Sequence, residues 1–286
     1  MKELILPRFM SCDACFDDSG IVAFGAGFDG TATYRPGSRF GPQAVRSEFY
    51  GLETYSPALD RDLTDLSVCD GGDLELPFGN TEAALDIIQK TAAEITAAGK
   101  KPFMIGGEHL ITLPAFKAVL EEYPGLCLLH FDAHTDLREE YLGERLSHSS
   151  VVRRIWDIIG DGRIWQLGIR SGMKEEFAWS REGHTHMRPF DLSGTGEAAE
   201  ALADAPVYLT VDLDVLDPSA FPGTGTPEPG GVSFNELQGA LCQLRNLNIV
   251  AADMTELAPG LDHSGISTIA ACKVMREALL LMGKRN

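Results

Sequence analysis

Apolar runs of strand length alternate along the chain with segments of helical period. Residues 20–28 (GIVAFGAGF), 66–69, 101–105, 126–131, 163–169, 207–211 and 249–254 read as strands, most of them apolar on both faces. Between them, residues 80–98 carry helical spacing, with Asn80 or Thr81 placed to cap the start and Gly99 to end it. Further helices are expected at about 110–122, 147–159, 234–244 and 263–282. A strand apolar on both faces needs cover on both. The pattern therefore predicts an α/β fold, a mainly parallel sheet covered by helices. No repeat, linker-like or low-complexity stretch divides the chain. It reads as one domain over 1–286, with 1–19 as an N-terminal extension.

Composition narrows the function classes. The 286 residues include 42 Asp and Glu against 24 Lys and Arg, a formal charge of −18. Phosphate contacts need clustered basic residues, so the acidity argues against a nucleic-acid partner. No apolar run approaches the ~18 residues of a membrane span. A chain of this length buries roughly three-quarters of its unfolded surface, so its core needs no disulfide or structural metal. Of six cysteines, Cys69, Cys127 and Cys272 lie in apolar or helical surroundings and read as buried thiols. Cys12 and Cys15 form a lone CxxC. It lacks the second pair of a zinc ribbon, and it precedes the first strand, whereas a redox pair opens a helix after one. The opening MKELILP is too short and too acidic for a signal peptide. The expectation is a reduced, cytoplasmic protein.

In parallel α/β sheets ligands bind at the carboxyl ends of the strands. Three strand ends carry metal-ligand chemistry. One runs Gly106-Gly107-Glu108-His109, the next Asp132-Ala133-His134-Thr135-Asp136, the third Asp212-Leu213-Asp214. If the strands continue, alternate side chains leave on one side and Asp132, His134 and Asp136 converge, as do Asp212 and Asp214. Four carboxylates gathered without a cation would repel one another and have to protonate. Two divalent cations would balance them. An oxygen and imidazole donor set without thiolate favours Mn²⁺ over structural zinc, and shared carboxylates suit a pair of metals that ionise a water.

Other residues are more ambiguous. His130, near Asp132, is expected to face the other side of the sheet, in the core or behind the ligands. His184 and His186 read as surface, and His263 as the cap region of the last helix. His148 follows a polar loop hung on the Asp136 strand end; it is either a proton shuttle or a helix-start residue. Asp253 and Glu256 end the last strand, where a carboxylate could hold a guanidinium or cap a helix. Gly25 to Gly30 matches GxGxxG, but the following 31–41 stretch, with Pro36, Gly37 and Gly41, reads as loop and not as the helix a dinucleotide needs. The 223–231 stretch (GTGTPEPGG) is either a rigid wall to a pocket or a plain surface loop.

Taken together, these motifs resemble the ureohydrolase family of arginases and agmatinases, from about residue 20 to the C-terminus. The 223–231 loop is similar to the agmatinase branch, and the Arg35-Pro36-Gly37 to Arg46 stretch to the family's N-terminal segment. The resemblance implies an arginase-like three-layer α/β/α fold and two Mn²⁺ ions per subunit. Carried over by position, His109, Asp132, Asp136 and Asp212 hold one ion, and His134, Asp132, Asp212 and Asp214 the other. His148 matches the proton-shuttling histidine and Glu256 the guanidinium-binding glutamate. One departure is His148-Ser149-Ser150-Val151, where many agmatinases carry His-Gly-Thr-Pro; it bears on substrate contacts and not on the metals.

The implied reaction is hydrolysis of a small cationic guanidino substrate, with Asp136 orienting the attacking water. For agmatine the products are putrescine and urea. Glu139, Glu140 and Glu144, in the loop after Asp136, would discourage a carboxylate and tolerate an amine, which favours agmatine over arginine. The alternative within the class is an arginase or another guanidino-acid hydrolase such as guanidinobutyrase. A dinuclear phosphoesterase would need a basic phosphate site, which the strand ends do not offer. A binding protein that has lost catalysis would not be expected to keep every ligand. The family also implies a homo-oligomer, trimer or hexamer.

Overall fold

The computed structural model describes residues 8, 9 and 11–283. Residues 1–7, on which the signal-peptide argument rests, lie outside the described residues. Eight strands form one sheet: β1 Ile21–Ala26, β2 Val68–Asp73, β3 Lys101–Gly106, β4 Cys127–Phe131, β5 Ile164–Ile169, β6 His186–Pro189, β7 Pro206–Asp212 and β8 Asn248–Thr255. Their spatial order is β2-β1-β3-β8-β7-β4-β5-β6, and every pairing is parallel. A two-strand antiparallel ribbon, Tyr55–Ser56 with Arg61–Asp62, stands apart.

The alternation along each strand sorts the core into two layers. Leu129, Phe131, Val207, Leu209 and Val211 face one side, packing with residues of α1 (Gly41–Glu48), α6 (Thr195–Ala201), α7 (Phe234–Gln243) and α8 (Ile266–Met282). Leu128, Ile164, Tyr208 and Val250 face the other, with α2 (Thr81–Ala97), α3 (Thr112–Glu122) and α4 (Val151–Ile159). The fold is a three-layer α/β/α sandwich, as expected. Asn80 caps α2 by accepting the Ala83 N–H at 3.1 Å. A short helix, α5 (Lys174–Trp179), completes the set.

Several elements depart from the sequence reading. The 31–41 stretch is loop as far as Gly37, and α1 then starts at Gly41-Pro42, where a proline in the first turn suits a helix. β6, α5 and α6 were not foreseen. β6 is a half-buried edge strand and its short polar run shows little alternation. His184 and His186 lie at the surface as expected, but each is packed against a tryptophan. His184 stacks on Trp179 at 4.4 Å and His186 on Trp165 at 4.5 Å, both half-buried. Cys127 and Cys272 are buried thiols, but Cys69 is only half-buried because it lies on edge strand β2. All six cysteines are free. Among the described residues no helix is long and apolar enough to cross a membrane.

Candidate metal centre

Four neighbouring strands in the middle of the sheet, β3, β8, β7 and β4, deliver the site residues at their carboxyl ends. The approach of β3 depends on Gly107. A Cβ there would lie 1.8 Å from the Phe28 carbonyl oxygen, so only glycine lets this turn lie against the β1 loop. Glu108 N–H then donates to Phe28 O at 2.7 Å, and His109 opens a 3₁₀ turn.

His109 Nδ1 lies 3.0 Å from Asp132 Oδ2, 3.2 Å from Asp136 Oδ2 and 3.3 Å from Asp212 Oδ2. Its Nε2 sits 2.8 Å from the Thr210 hydroxyl. On the second flank His134 Nδ1 lies 3.5 Å from Asp132 Oδ1 and 3.0 Å from Asp214 Oδ2. All six predicted ligands are therefore brought together. Apart from half-buried His134, all are buried.

The convergence does not arise from strand alternation. β4 ends at Phe131, and residues 132–136 form an irregular turn in which Asp136 adopts φ 52°. Asp212 is the last residue of β7, and Asp214 sits in the 3₁₀ turn Leu213–Val215. That turn is held by the Asp214 N–H donating to Asp212 Oδ1 at 2.9 Å, and Asp214 Oδ1 accepts the Ala133 N–H at 3.1 Å. His130 faces the same side as Asp132 and not the opposite one. Its Nε2 stands 2.7 Å from Asp132 Oδ2, and its Nδ1 3.1 Å from the Gln166 side-chain nitrogen. Both ring nitrogens are thereby occupied, so His130 braces the carboxylate from behind.

The donor set fits divalent cations. One ring nitrogen carries at most one proton, so His109 Nδ1 cannot satisfy three carboxylate oxygens by hydrogen bonding. Asp214 Oδ2 is buried, and His134 Nδ1, though 3.0 Å away, is not aligned to donate to it. Burial, then the charges of Asp214 and Asp132, push the Asp212 carboxyl well above its ordinary range. Asp132 goes the other way: burial would raise it, but His130, His109 and His134 hold it well below. Two sets of side chains bring donor atoms within 4.8 Å of one another, His109/His130/Asp132/Asp136 and Asp132/His134/Asp214. They share Asp132, whose two oxygens could serve a cation in each set.

A cavity of about 350 Å³ opens over these groups, lined also by His148, Glu256, Arg138, Tyr141, Glu176 and Thr226. Glu256 adopts φ 65°, and one of its oxygens accepts the His109 N–H at 3.0 Å. Burial, then the charges of Asp212, Glu108 and Asp214, raise its carboxyl well above the usual range. His148 takes the helix-start position, opening the 3₁₀ turn that leads into α4, and also faces the cavity. Burial lowers its pKa, against the pull of Asp136. Thr226 places the 223–231 loop in the cavity wall, and Arg35 ties that loop by donating to Thr224 O and Gly225 O at 2.7 and 3.0 Å.

Two expectations fail. Asp253 turns away from the cavity, accepting from Tyr208 and Thr112 hydroxyls at 2.7 and 2.8 Å. Glu139, Glu140 and Glu144 are exposed and do not line the cavity; the loop presents Arg138 and Tyr141 instead, with the Arg138 guanidinium 4.4 Å from the Tyr141 ring centre. Sequence reasoning also missed Arg170, Gln166 and Thr31. Arg170 follows a strand end and Gln166 interrupts an apolar strand, so both carried a signal.

A parallel sheet whose central strand ends converge on buried histidines and carboxylates under one cavity defines an α/β protein with a candidate metal centre. The comparisons make this specific. The model of the arginase family matches residues 19–281. The chain is 47% identical over 275 residues to an agmatinase of Bacillus anthracis, covering 95% of each. It is 37% identical over 273 residues to proclavaminate amidinohydrolase of Streptomyces clavuligerus, covering 91% of this chain and 87% of that one. The crystal structure of agmatine ureohydrolase of Thermoplasma volcanium superposes with a TM-score of 0.89 at 31% identity, covering 98% of this chain and 95% of the other. The chain belongs to the arginase family.

Proposed function

We propose that this hydrolase is a dimanganese agmatinase that converts agmatine to putrescine and urea. The observation that carries the reading is the convergence of six ligand-type residues from three strand ends beneath one cavity. His109, Asp132, Asp136 and Asp212 would hold one Mn²⁺, and His134, Asp132, Asp212 and Asp214 the other. When bound, the pair supplies Lewis-acid polarisation and a water ionised at neutral pH.

The chain's own residues bind and move protons. Glu256 is fixed through His109 N–H, and the charge of an arriving guanidinium would stabilise its ionised form. Asp136 orients the attacking group. His148, kept neutral by burial, is available to exchange a proton with the substrate and deliver it to the departing amine. One continuous sheet supports a single working domain over 1–286. The family reading extends to a homo-oligomer, trimer or hexamer, and to a cytoplasmic location.

A second reading, a guanidino-acid hydrolase, has one observation in its favour: Arg138 lines the cavity where a substrate carboxylate would meet it. Glu176 in the same wall has the opposite charge, with its oxygens taken by the N–H groups of Leu137 and Met173. Urea release by Mn²⁺-loaded protein, with agmatine, arginine and 4-guanidinobutyrate in parallel and Asp132→Asn as control, separates the two. Urea from agmatine alone, lost in the variant, is the expected result. Urea chiefly from 4-guanidinobutyrate would replace agmatine as the substrate and leave the chemistry in place.

A further inference from the structure

Thr31 lies in the glycine-rich loop after β1, and none of the steps above uses it. Its hydroxyl donates to Glu108 Oε1 at 2.5 Å, and its backbone N–H to Oε2 of the same carboxylate at 3.0 Å. Its hydroxyl oxygen accepts the His148 backbone N–H at 3.1 Å and lies 3.3 Å from His148 Nδ1. Glu108 is fully buried. A hydroxyl has one proton to give. With that proton on Glu108, Thr31 offers His148 only lone pairs, so Nδ1 carries the ring proton and Nε2 is bare. Ser147 Oγ, 3.5 Å from the same nitrogen, is a longer contact on that side. Tyr141 meets the ring edge-on at 6.1 Å and 84°, which limits its rotation.

We propose that Thr31, oriented by Glu108, is a positioning residue that sets the ring orientation and tautomer of His148, leaving Nε2 to exchange the proton with substrate. The catalytic half of this rests on the reading of His148 as the shuttle. The logic is that of any histidine whose working nitrogen is chosen by the hydrogen bond at the other.

Nitrogen-15 NMR of the histidine rings, in protein loaded with diamagnetic Zn²⁺, reads the tautomer directly. It is recorded at the pH of the turnover assays, so that both measurements read the same state. The wild type is expected to show His148 protonated on Nδ1, Thr31→Val to lose that preference and Thr31→Ser to keep it. A wild-type ring protonated on Nε2 overturns the proposal whatever the kinetics. In turnover, Thr31→Val should lower kcat about 10- to 100-fold with little change in KM, the range of general acid–base catalysis, and Thr31→Ser should recover most of it. Bound metal per chain, measured for each variant, separates this from collapse of the site. In the His148→Ala background Thr31→Val should cost nothing further; an added loss shows that Thr31 acts by another route and sinks the idea. Unchanged kcat in His148→Ala alone removes the shuttle and the catalytic half with it, while the NMR result still decides the positioning.

Discussion

Asp212 shows the cost of assembling this site one residue at a time. It is buried, it lies beside Asp214 and Asp132, and its carboxyl is driven well above the usual range by burial first and those charges second. An amide at this position keeps the Oδ1 acceptor for the Asp214 N–H and removes one carboxylate from the cluster. The 3.3 Å contact from the Thr255 hydroxyl is lost, and so is the 3.3 Å contact His109 Nδ1 makes with Oδ2, while Nδ1 keeps Asp132 and Asp136 as acceptors. Asp212→Asn is therefore expected to stabilise the metal-stripped protein by about 1 kcal/mol, roughly 2–4 °C in melting temperature, while abolishing urea release. A lower melting point in stripped protein would show that mutual repulsion is not what Asp212 contributes. The same physics gives a pH dependence. Burial raises Glu108 to about 8, and burial with neighbouring charge raises Glu256 and Asp212 well above their ordinary range. A carboxyl whose folded pKa is raised contributes stability that is complete below its unfolded value, near 4, and lost as pH climbs through the folded value. Metal-stripped protein should thus weaken from about pH 4 to about pH 8. Metal binding favours the ionised ligands, so the gap between loaded and stripped melting curves should widen with pH. Parallel curves would refute this.

At the scale of elements, the turns after the strands matter more than the strands themselves. Arg170, just past β5, donates to the carbonyls of Asp214, Val215 and Glu228 at 2.7 to 3.1 Å, so one guanidinium stitches the Asp214 turn to the 223–231 loop. A lysine has neither the planar fork nor enough donors for this. Arg170→Lys should leave carbonyls unsatisfied, cost about 2 kcal/mol of stability, and weaken metal binding at the Asp214 flank; metal stoichiometry after dialysis reads the latter. Asp217 works on the same loop from its other side. Its oxygens accept the Ser219 hydroxyl first, at 2.5 Å, and then the N–H groups of Ser219, Gly231 and Gly230, which lowers its carboxyl to about 2. Asp217→Ala should raise KM several-fold through Thr226 while kcat changes less, measured in the same urea assay. These devices also mark where the sequence was legible. The strands inside the sheet ended within about two residues of their expected bounds, because an apolar run covered on both faces leaves little other reading, whereas β2, expected over 66–69, runs from Val68 to Asp73 with polar, partly exposed residues at the sheet edge. The ligands were legible as residue types after strand ends. Their geometry was not, since it depends on the positive φ of Asp136 and on the 3₁₀ turn at Leu213–Val215 and not on alternation. Nor could the acidic loop be placed: nothing in Glu139, Glu140 and Glu144 says that Arg138 and Tyr141 turn inward while they face solvent.

On the whole molecule, the sheet order gathers β3, β8, β7 and β4 side by side, so one cavity receives contributions from segments more than 140 residues apart, His109 to Glu256. The same cavity sits in a chain with a formal charge of −18. Two bound divalent cations would offset only four of those charges, so the loaded protein remains an anion and its long-range field draws cations inward. Agmatine is a dication at neutral pH, whereas 4-guanidinobutyrate carries no net charge. Capture of agmatine should therefore be steered, and 4-guanidinobutyrate should feel little of the field. Mobile salt shortens the reach of that field from about 30 Å at 0.01 M to about 8 Å at 0.15 M. The expected outcome is that kcat/KM for agmatine falls severalfold over this range while kcat stays level. Turnover of the zwitterion, where measurable, should be nearly flat. Stopped assays at matched pH with an inert 1:1 salt would measure both. If agmatine turnover ignored the salt, capture would be governed by contacts within the cavity, Glu176 and Glu256 first among them, and the acidic surface would contribute solubility alone.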